Sequence, residues 1–309
     1  VTAPRPRPRI PAWMLAVTAM MSVQLGSALS TGLIDDVGPA GAAWLRLTAG
    51  ALILLAIARP PLRRVRRSDV APLLGLGVAT GLFTVFFLAA LDRIPLGTAV
   101  AIEFLGPLAV AAIRSPSRAA LAWPALALGG VVLMTEPWTG ATDPLGVLFA
   151  ALAGVGWGCY ILLTQKVGDR FDGIGALTLT IPVAAVTAAI VGVPQALPHL
   201  RLEHLPLAIG LALLLPVLPF ALEMLALRRM TATAFGTLLA LEPAFGLLLG
   251  LIVLQQQPGI LQLVGIALVI TAGAAAQRGG LRVDAVGPAE GAPLSPPAAR
   301  AAPSSGPPR

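Results

Sequence analysis

The chain has 309 residues, 57% of them hydrophobic and only 11% charged, with a formal net charge of +7 and a mean hydropathy of +0.86. A soluble chain carries about 25% charged residues, so this one cannot clothe a water-exposed surface. Its cations lie between apolar stretches and do not cluster on one face, which argues against a nucleic-acid partner; one cysteine, Cys159, excludes an intramolecular disulfide and a cysteine-based metal cluster.

Residues 1–10, VTAPRPRPRI, are basic and broken by prolines, and read as a cytoplasmic N-terminus. Ten apolar spans follow, near 11–33, 40–58, 70–91, 96–113, 119–135, 145–164, 174–193, 205–227, 231–254 and 259–276. Each is long enough to cross ~30 Å of hydrocarbon as a helix. The first span opens like a secretory signal, with Gly26-Ser27-Ala28 resembling a cleavage site. Its apolar run continues to Ile34, however, and removing it leaves the span at 145–164 without a counterpart, so it is counted as the first helix. Gln24, Ser27 and Ser30 recur every three residues on one face of that helix, suited either to a polar cavity or to helix packing. Arg46, a few residues into the second span, is placed either to reach the headgroups or to pair with a carboxylate.

The fourth span carries Glu103 near its middle, followed by Gly106-Pro107. Trp157 and Tyr160 in the sixth are spaced to wall a cavity or to pack, and Cys159 between them reads as a small buried thiol. The eighth holds Pro216, Pro219 and Glu223, the acid lying four residues from the span's end, where it either lines a site or snorkels to the interface. The ninth holds Glu242-Pro243. Residues 136–144 form an external linker, and 277–309, rich in Gly, Ala, Pro and Ser, read as a disordered cytoplasmic tail.

At an offset of 136 residues, Leu91 falls on Leu227, Arg93 on Arg229, Pro107 on Pro243 and Gly129 on Gly265. The chain thus divides into five spans (11–135) and five more (145–276). An odd number per half forces opposite insertion. The cations agree: with both termini in the cytoplasm, all but Arg46, Arg93 and Arg201 of the 21 Lys and Arg fall on the inner side, as the positive-inside rule requires. The fold class expected is therefore an all-α polytopic membrane protein, ten transmembrane helices in a 5+5 inverted-topology repeat. Inverted repeats that meet at mid-membrane around broken helices are a recurrent plan of secondary transporters.

A carboxylate at mid-membrane costs roughly 2.5–3.5 kcal/mol on insertion scales, so Glu103 and Glu242 mark a site for substrate or protons, unless each is a protonated packing residue bonded to its neighbour. Pro107 frees the carbonyl of Glu103 and Pro243 that of Leu239, because a proline has no N–H to donate. Each half then offers a helix loosened at one depth, its bare carbonyls available to a cation or an amine.

The stretches VQLGSAL, RIPLGTAVAIEFLGPLAVA and WGCYILLTQKVG, followed by PFALEMLALRRM, FGTLLALEPAFGLLLG and GIALVITAGA, resemble EamA-type drug/metabolite transporters over roughly residues 11–276. The resemblance implies two EamA repeats around a central cavity. It also implies an exporter of small amino acids or related metabolites in the cell's inner (plasma) membrane, driven by proton exchange. Glu103, Glu223 and Glu242 match the motif acids. One departure stands out: such proteins usually end the ninth span with an acid after Leu-Gly, whereas here Leu254 is followed by Gln255, Gln256 and Gln257.

Other classes fit less well. A membrane hydrolase wants a nucleophile and base within the spans, but His199 and His204 share one outer loop, where they read as surface residues. Asp35-Asp36 stands alone, short of the aspartate cluster that magnesium-diphosphate chemistry needs. No phosphate-cradling glycine loop is present to drive a pump with ATP. No metal or cofactor is expected; the expected partners are a small-molecule substrate, protons and the lipid bilayer. The sequence leaves the oligomeric state open, and a passive channel remains the alternative to a carrier.

Overall fold

A computed structural model describes residues 11–60, 62–114, 118–168, 173–227, 229–230 and 232–279. Residues 1–10 and 280–309, and with them the expectations for the N-terminus and most of the tail, lie outside these. So do several inner-loop cations used in the charge count, Arg170 and Arg228 among them. The described residues are helical apart from turns and short connections, and contain no strand. An apolar chain that leaves water must satisfy its backbone within each segment, which helices do.

The helices are α1 (Ala12–Val37), α2 (Pro39–Ile57), α3 (Arg67–Leu91), α4 (Leu96–Glu103), α5 (Leu105–Arg114), α6 (Ala122–Thr135), α7 (Pro144–Gly168), α8 (Gly173–Ala196), α9 (His204–Ala212), α10 (Leu218–Leu227), α11 (Ala232–Leu239), α12 (Glu242–Ile252) and α13 (Ile260–Gly279). Counting α4–α5, α9–α10 and α11–α12 as broken single helices, eight stretches are long and apolar enough to cross a membrane. Two shorter apolar helices, Ala119–Thr135 and Ile260–Ala276, accompany them. The chain is a polytopic membrane protein.

α1 runs past the apolar stretch that suggested it. Asp35 and Asp36 sit in its last turn because Leu33, Ile34 and Val37 are buried there, and the helix stops only where Gly38 takes φ +75°. Cys159, expected to be buried, is exposed. A lipid-facing wall is as apolar as a core, so hydrophobicity does not tell the two apart.

α2 packs on α8, α3 on α7, α10 on α1, α4 on α12 and α6 on α13. Small residues set several of these crossings. A Cβ on Gly130 of α6 would lie 2.5 Å from the carbonyl oxygen of Gly265 on α13, so those backbones touch. Gly129, the residue that aligns with Gly265, meets nothing within 4 Å; its neighbour makes the contact. The largest core cluster gathers residues of α1–α9, α12 and α13, including Leu33, Leu88, Ile102, Phe104, Met134 and Val269.

At the end of the bundle marked by Gly38, Oε1 of Gln195, from α8, accepts hydrogen bonds from the N–H groups of Ala40 (2.8 Å) and Gly41 (3.1 Å). It caps the first turn of α2 from a distant helix. Gln195→Ala is expected to cost about 0.5–2 kcal/mol, as helix caps do, whereas Gln195→Glu keeps the acceptor and most of the stability; unfolding in detergent compares the two.

Asp143 precedes Pro144 and caps α7 by accepting from the N–H of Leu145 at 2.8 Å. Arg93 joins it at 2.8 Å. The Arg93 hydrogen bond first, and the Leu145 N–H second, hold the Asp143 carboxyl below its ordinary value. A lowered carboxyl stabilises the fold above the usual aspartate range and loses that contribution as pH falls through the lowered value. The side chains are 37% and 33% exposed, so the effect is small. Melting curves of the wild type and Arg93→Ala should differ slightly at neutral pH and draw together only as pH falls below the usual aspartate range.

Candidate functional site

α4 ends at Glu103, Phe104 makes a turn, and α5 resumes at Leu105. In the other half α11 ends at Leu239 and α12 begins at Glu242. The two breaks thus stand at positions 136 apart, with Pro107 in the first turn of α5 and Pro243 in that of α12. A proline costs least in a first turn, where its missing N–H has no partner to lose.

Glu103 and Glu242 are 7% and 6% exposed. Arg46, 3% exposed, points inward. Its Nη1 lies 3.4 Å from the hydroxyl oxygen of Ser30, and its charge acts on Glu103. Glu242 lies within electrostatic reach of both Glu103 and Glu223, and Glu223 acts in turn on Tyr160. Glu223 itself is half-buried. Arg46, Glu103, Glu242, Glu223 and Tyr160 form one chain of interacting groups drawn from α2, α4, α12, α10 and α7.

The aromatic residues brace this chain. Trp157 meets Phe104, the residue at the α4–α5 turn, edge-on at 6.1 Å. Tyr160 tilts against Phe83 at 6.3 Å and packs with Leu73 and Leu76.

The carbonyl of Glu103 does not face a cavity. A Cβ on Gly154 of α7 would fall 2.8 Å from it, and one on Gly106 would run into the carbonyl of Gly154. The broken turn is pressed against the α7 backbone, and this close approach, unreadable from one span alone, covers the carbonyl that Pro107 leaves free. In the eighth span the irregular stretch is Leu213–Val217, where Leu215 is extended (φ −160°, ψ 110°) beside Pro216. Pro219 sits in the first turn of α10, where a proline fits without breaking anything.

On α1, Ser22 donates to the carbonyl of Leu214 at 2.8 Å, satisfying an acceptor in that irregular stretch. Ser27 and Ser30 donate to Val23 and Gly26 one turn back. Gln24, 2% exposed, keeps an Oε1 with no hydrogen-bond partner. A buried unpaired acceptor costs about 1–3 kcal/mol.

Sequence reasoning passed over Ser22 and Gln195 and took His204 for a surface residue. Ser22 lies two residues from Gln24, roughly on the opposite side of the helix, and nothing local marks it or Gln195. His204 is buried, not a surface residue: its Nδ1 accepts from the N–H of Arg201 at 3.1 Å, and its Nε2 lies 3.4 Å from Asp36 at the end of α1. His199 is exposed. Among the described residues no His, Cys, Asp and Glu group is arranged to hold a metal ion.

The glutamines after the ninth span also have a place. The N–H of Leu96 donates to Oε1 of Gln256 at 3.1 Å, so an amide caps α4 where an acid is usual in the resembled proteins. Beside it lies a cavity of about 230 Å³ lined by residues that include Pro95, Thr98, Gln256, Gln257, Gln262 and Ile266. It meets α4 at its first turns, whereas Glu103 ends that helix.

Residues 144–275 match the EamA-like transporter family. The chain is 34% identical over 276 residues to the threonine/homoserine exporter RhtA of Escherichia coli (strain K12), covering 85% of this chain and 91% of that protein. The same figures hold for RhtA of Salmonella typhimurium (strain LT2). A solved crystal structure superposes with a TM-score of 0.57 at 21% identity, over 86% of this chain and 96% of the other. That likeness speaks to the fold alone.

Proposed function

The chain belongs to the EamA-like transporter family, and from that premise we propose a secondary carrier that exports small amino acids of the threonine or homoserine kind, or related metabolites, across the inner membrane by proton antiport. In this reading ten spans form two inverted five-helix units with both termini in the cytoplasm. The Gly38 end faces outward. Supporting it, α3 packs on α7 as α10 packs on α1, the pairing that exchange of two equivalent halves generates.

The observation that carries the proposal is the meeting of acids from both halves. Glu103 and Glu242 lie within electrostatic reach of each other, each beside a helix break, with Arg46 and Glu223 flanking them. Three carboxyls against one guanidinium leave groups free to take up protons or a substrate ammonium in turn. Glu103 and Glu242 exchange the proton and the ammonium; Arg46 steadies Glu103 and attracts the substrate carboxylate. Glu223 and Tyr160 continue the polar path away from the Gly38 end, Trp157 and Gln24 wall the site, and the segments around Pro107, Pro243 and Leu213–Val217 let one half rock against the other.

Proteoliposomes test this directly. A carrier loaded with unlabelled L-threonine or L-homoserine accumulates labelled substrate from outside by counterflow, and an imposed proton gradient drives net movement. Uptake that only ever equilibrates would identify a channel.

A further inference from the structure

Gln24 is a buried polar side chain of α1 whose oxygen the helix ladders and the neighbouring spans leave unpartnered, whereas Ser22, Ser27 and Ser30 all donate to carbonyls. Its position is specific. α1 delivers the amide to the crossing of α4 and α12, where a Cβ built on Gly246 would lie 3.5 Å from Oε1 and 3.1 Å from Cγ2 of Val100. A methyl group at Gly246 would press on Val100 and only touch that oxygen.

Val100 stands three residues before Glu103 on α4, and Gly246 four residues after Glu242 on α12. At ~1.5 Å of rise per residue, the amide oxygen lies about one turn from each acid, on the Gly38 side of both. An amide carbonyl accepts hydrogen bonds and never titrates. It therefore goes on accepting while the carboxyls beside it gain and lose protons.

We propose that Gln24 is the fixed acceptor for the substrate's ammonium group, holding the amine while Glu103 and Glu242 change protonation, and so selecting amine-bearing substrates. This rests on the carrier reading above and deepens it by assigning the residue that recognises the amine. An ammonium satisfies Oε1; a ligand that brings only acceptors to the same place leaves it unpaired and sets oxygen against oxygen. Sites built to hydrogen-bond a substrate group discriminate strongly against analogues that lack it. The bound ammonium supplies the partner that no protein group gives this oxygen.

The test uses Gln24→Met, close in length and without the acceptor. Removing an unpaired buried oxygen should leave the melting temperature of the purified protein at or above that of the wild type. In proteoliposomes the KM for L-threonine should rise tenfold or more while the midpoint of the pH profile stays put. 3-Hydroxybutyrate, which is threonine without its amine, should compete equally weakly against both proteins. An unchanged KM overturns the assignment, as does a shifted pH midpoint at constant KM, which would make Gln24 the partner of a carboxyl proton. A fall in melting temperature in both Gln24→Met and Gln24→Asn would expose a structural hydrogen bond and overturn it too. A wild type that exchanges no amine-bearing substrate overturns the carrier reading itself, and this assignment with it. A wild type that exchanges L-threonine beside an unmoved Gln24→Met overturns the assignment only.

Discussion

Glu103→Gln combined with Glu242→Gln is expected to reduce export by about 10²-fold or more, the scale on which positioned proton-transfer groups act, and to remove its pH dependence. Glutamine keeps the shape of the acid and much of its hydrogen bonding, so the folded protein should persist. What disappears is the pair of groups that can carry either a proton or an ammonium's counter-charge. Two assays on one preparation separate these duties. Exchange of labelled for unlabelled L-threonine needs the ammonium to bind but moves no net proton, whereas gradient-driven export needs both. If ammonium and proton compete for the same acids, both activities fall together. Exchange that survives intact while driven export is lost would confine the acids to the proton path. Full activity in both assays would remove them from the mechanism.

Much of this arrangement can be read without coordinates because the bilayer restricts what a sequence can do. Span lengths are fixed by hydrocarbon thickness, and the helices fall close to the apolar runs. Buried acids are costly, which is why Glu103 and Glu242 stand out in the sequence and why both lie inside the bundle. A proline one or four residues on from a buried acid locates the breaks, because the missing N–H acts locally.

Properties that depend on a second helix are not readable in this way. Nothing in the eighth span distinguishes Pro216, beside the irregular turn, from Pro219, which is accommodated in a first turn. The Glu103 carbonyl looks free until Gly154 of a different helix is laid against it. Burial of His204 depends on Asp36, 168 positions earlier, and Cys159 lies on an outer wall that is chemically indistinguishable from the core. Gln24 could be placed on a polar face by its spacing, but its lack of a partner is a fact about Val100 and Gly246.

Arg46→Met should destabilise the protein by about 1–3 kcal/mol, the usual cost of leaving a buried polar group without its partner. Arg46 is 3% exposed and Glu103 7%, so neither bulk water nor a headgroup compensates the acid left behind. The diagnostic variant is the double substitution Arg46→Met with Glu103→Gln. Replacing both members of a buried pair is often neutral, since the desolvation of two charges is avoided along with their attraction. The double variant should therefore melt well above Arg46→Met alone and approach the wild type. Export should nevertheless stay lost in both, because recovered packing does not restore the charges proposed to handle the substrate's carboxylate and ammonium. A thermal-shift series in detergent, run beside counterflow on the same proteins, reads the two effects separately. Additive losses of stability would mean that Arg46 and Glu103 do not act as a pair, and Arg46 would then be anchored by Ser30 and its packing alone. Regained export in the double variant would show that the guanidinium serves only to neutralise the acid, which would move substrate recognition towards Glu242 and Glu223.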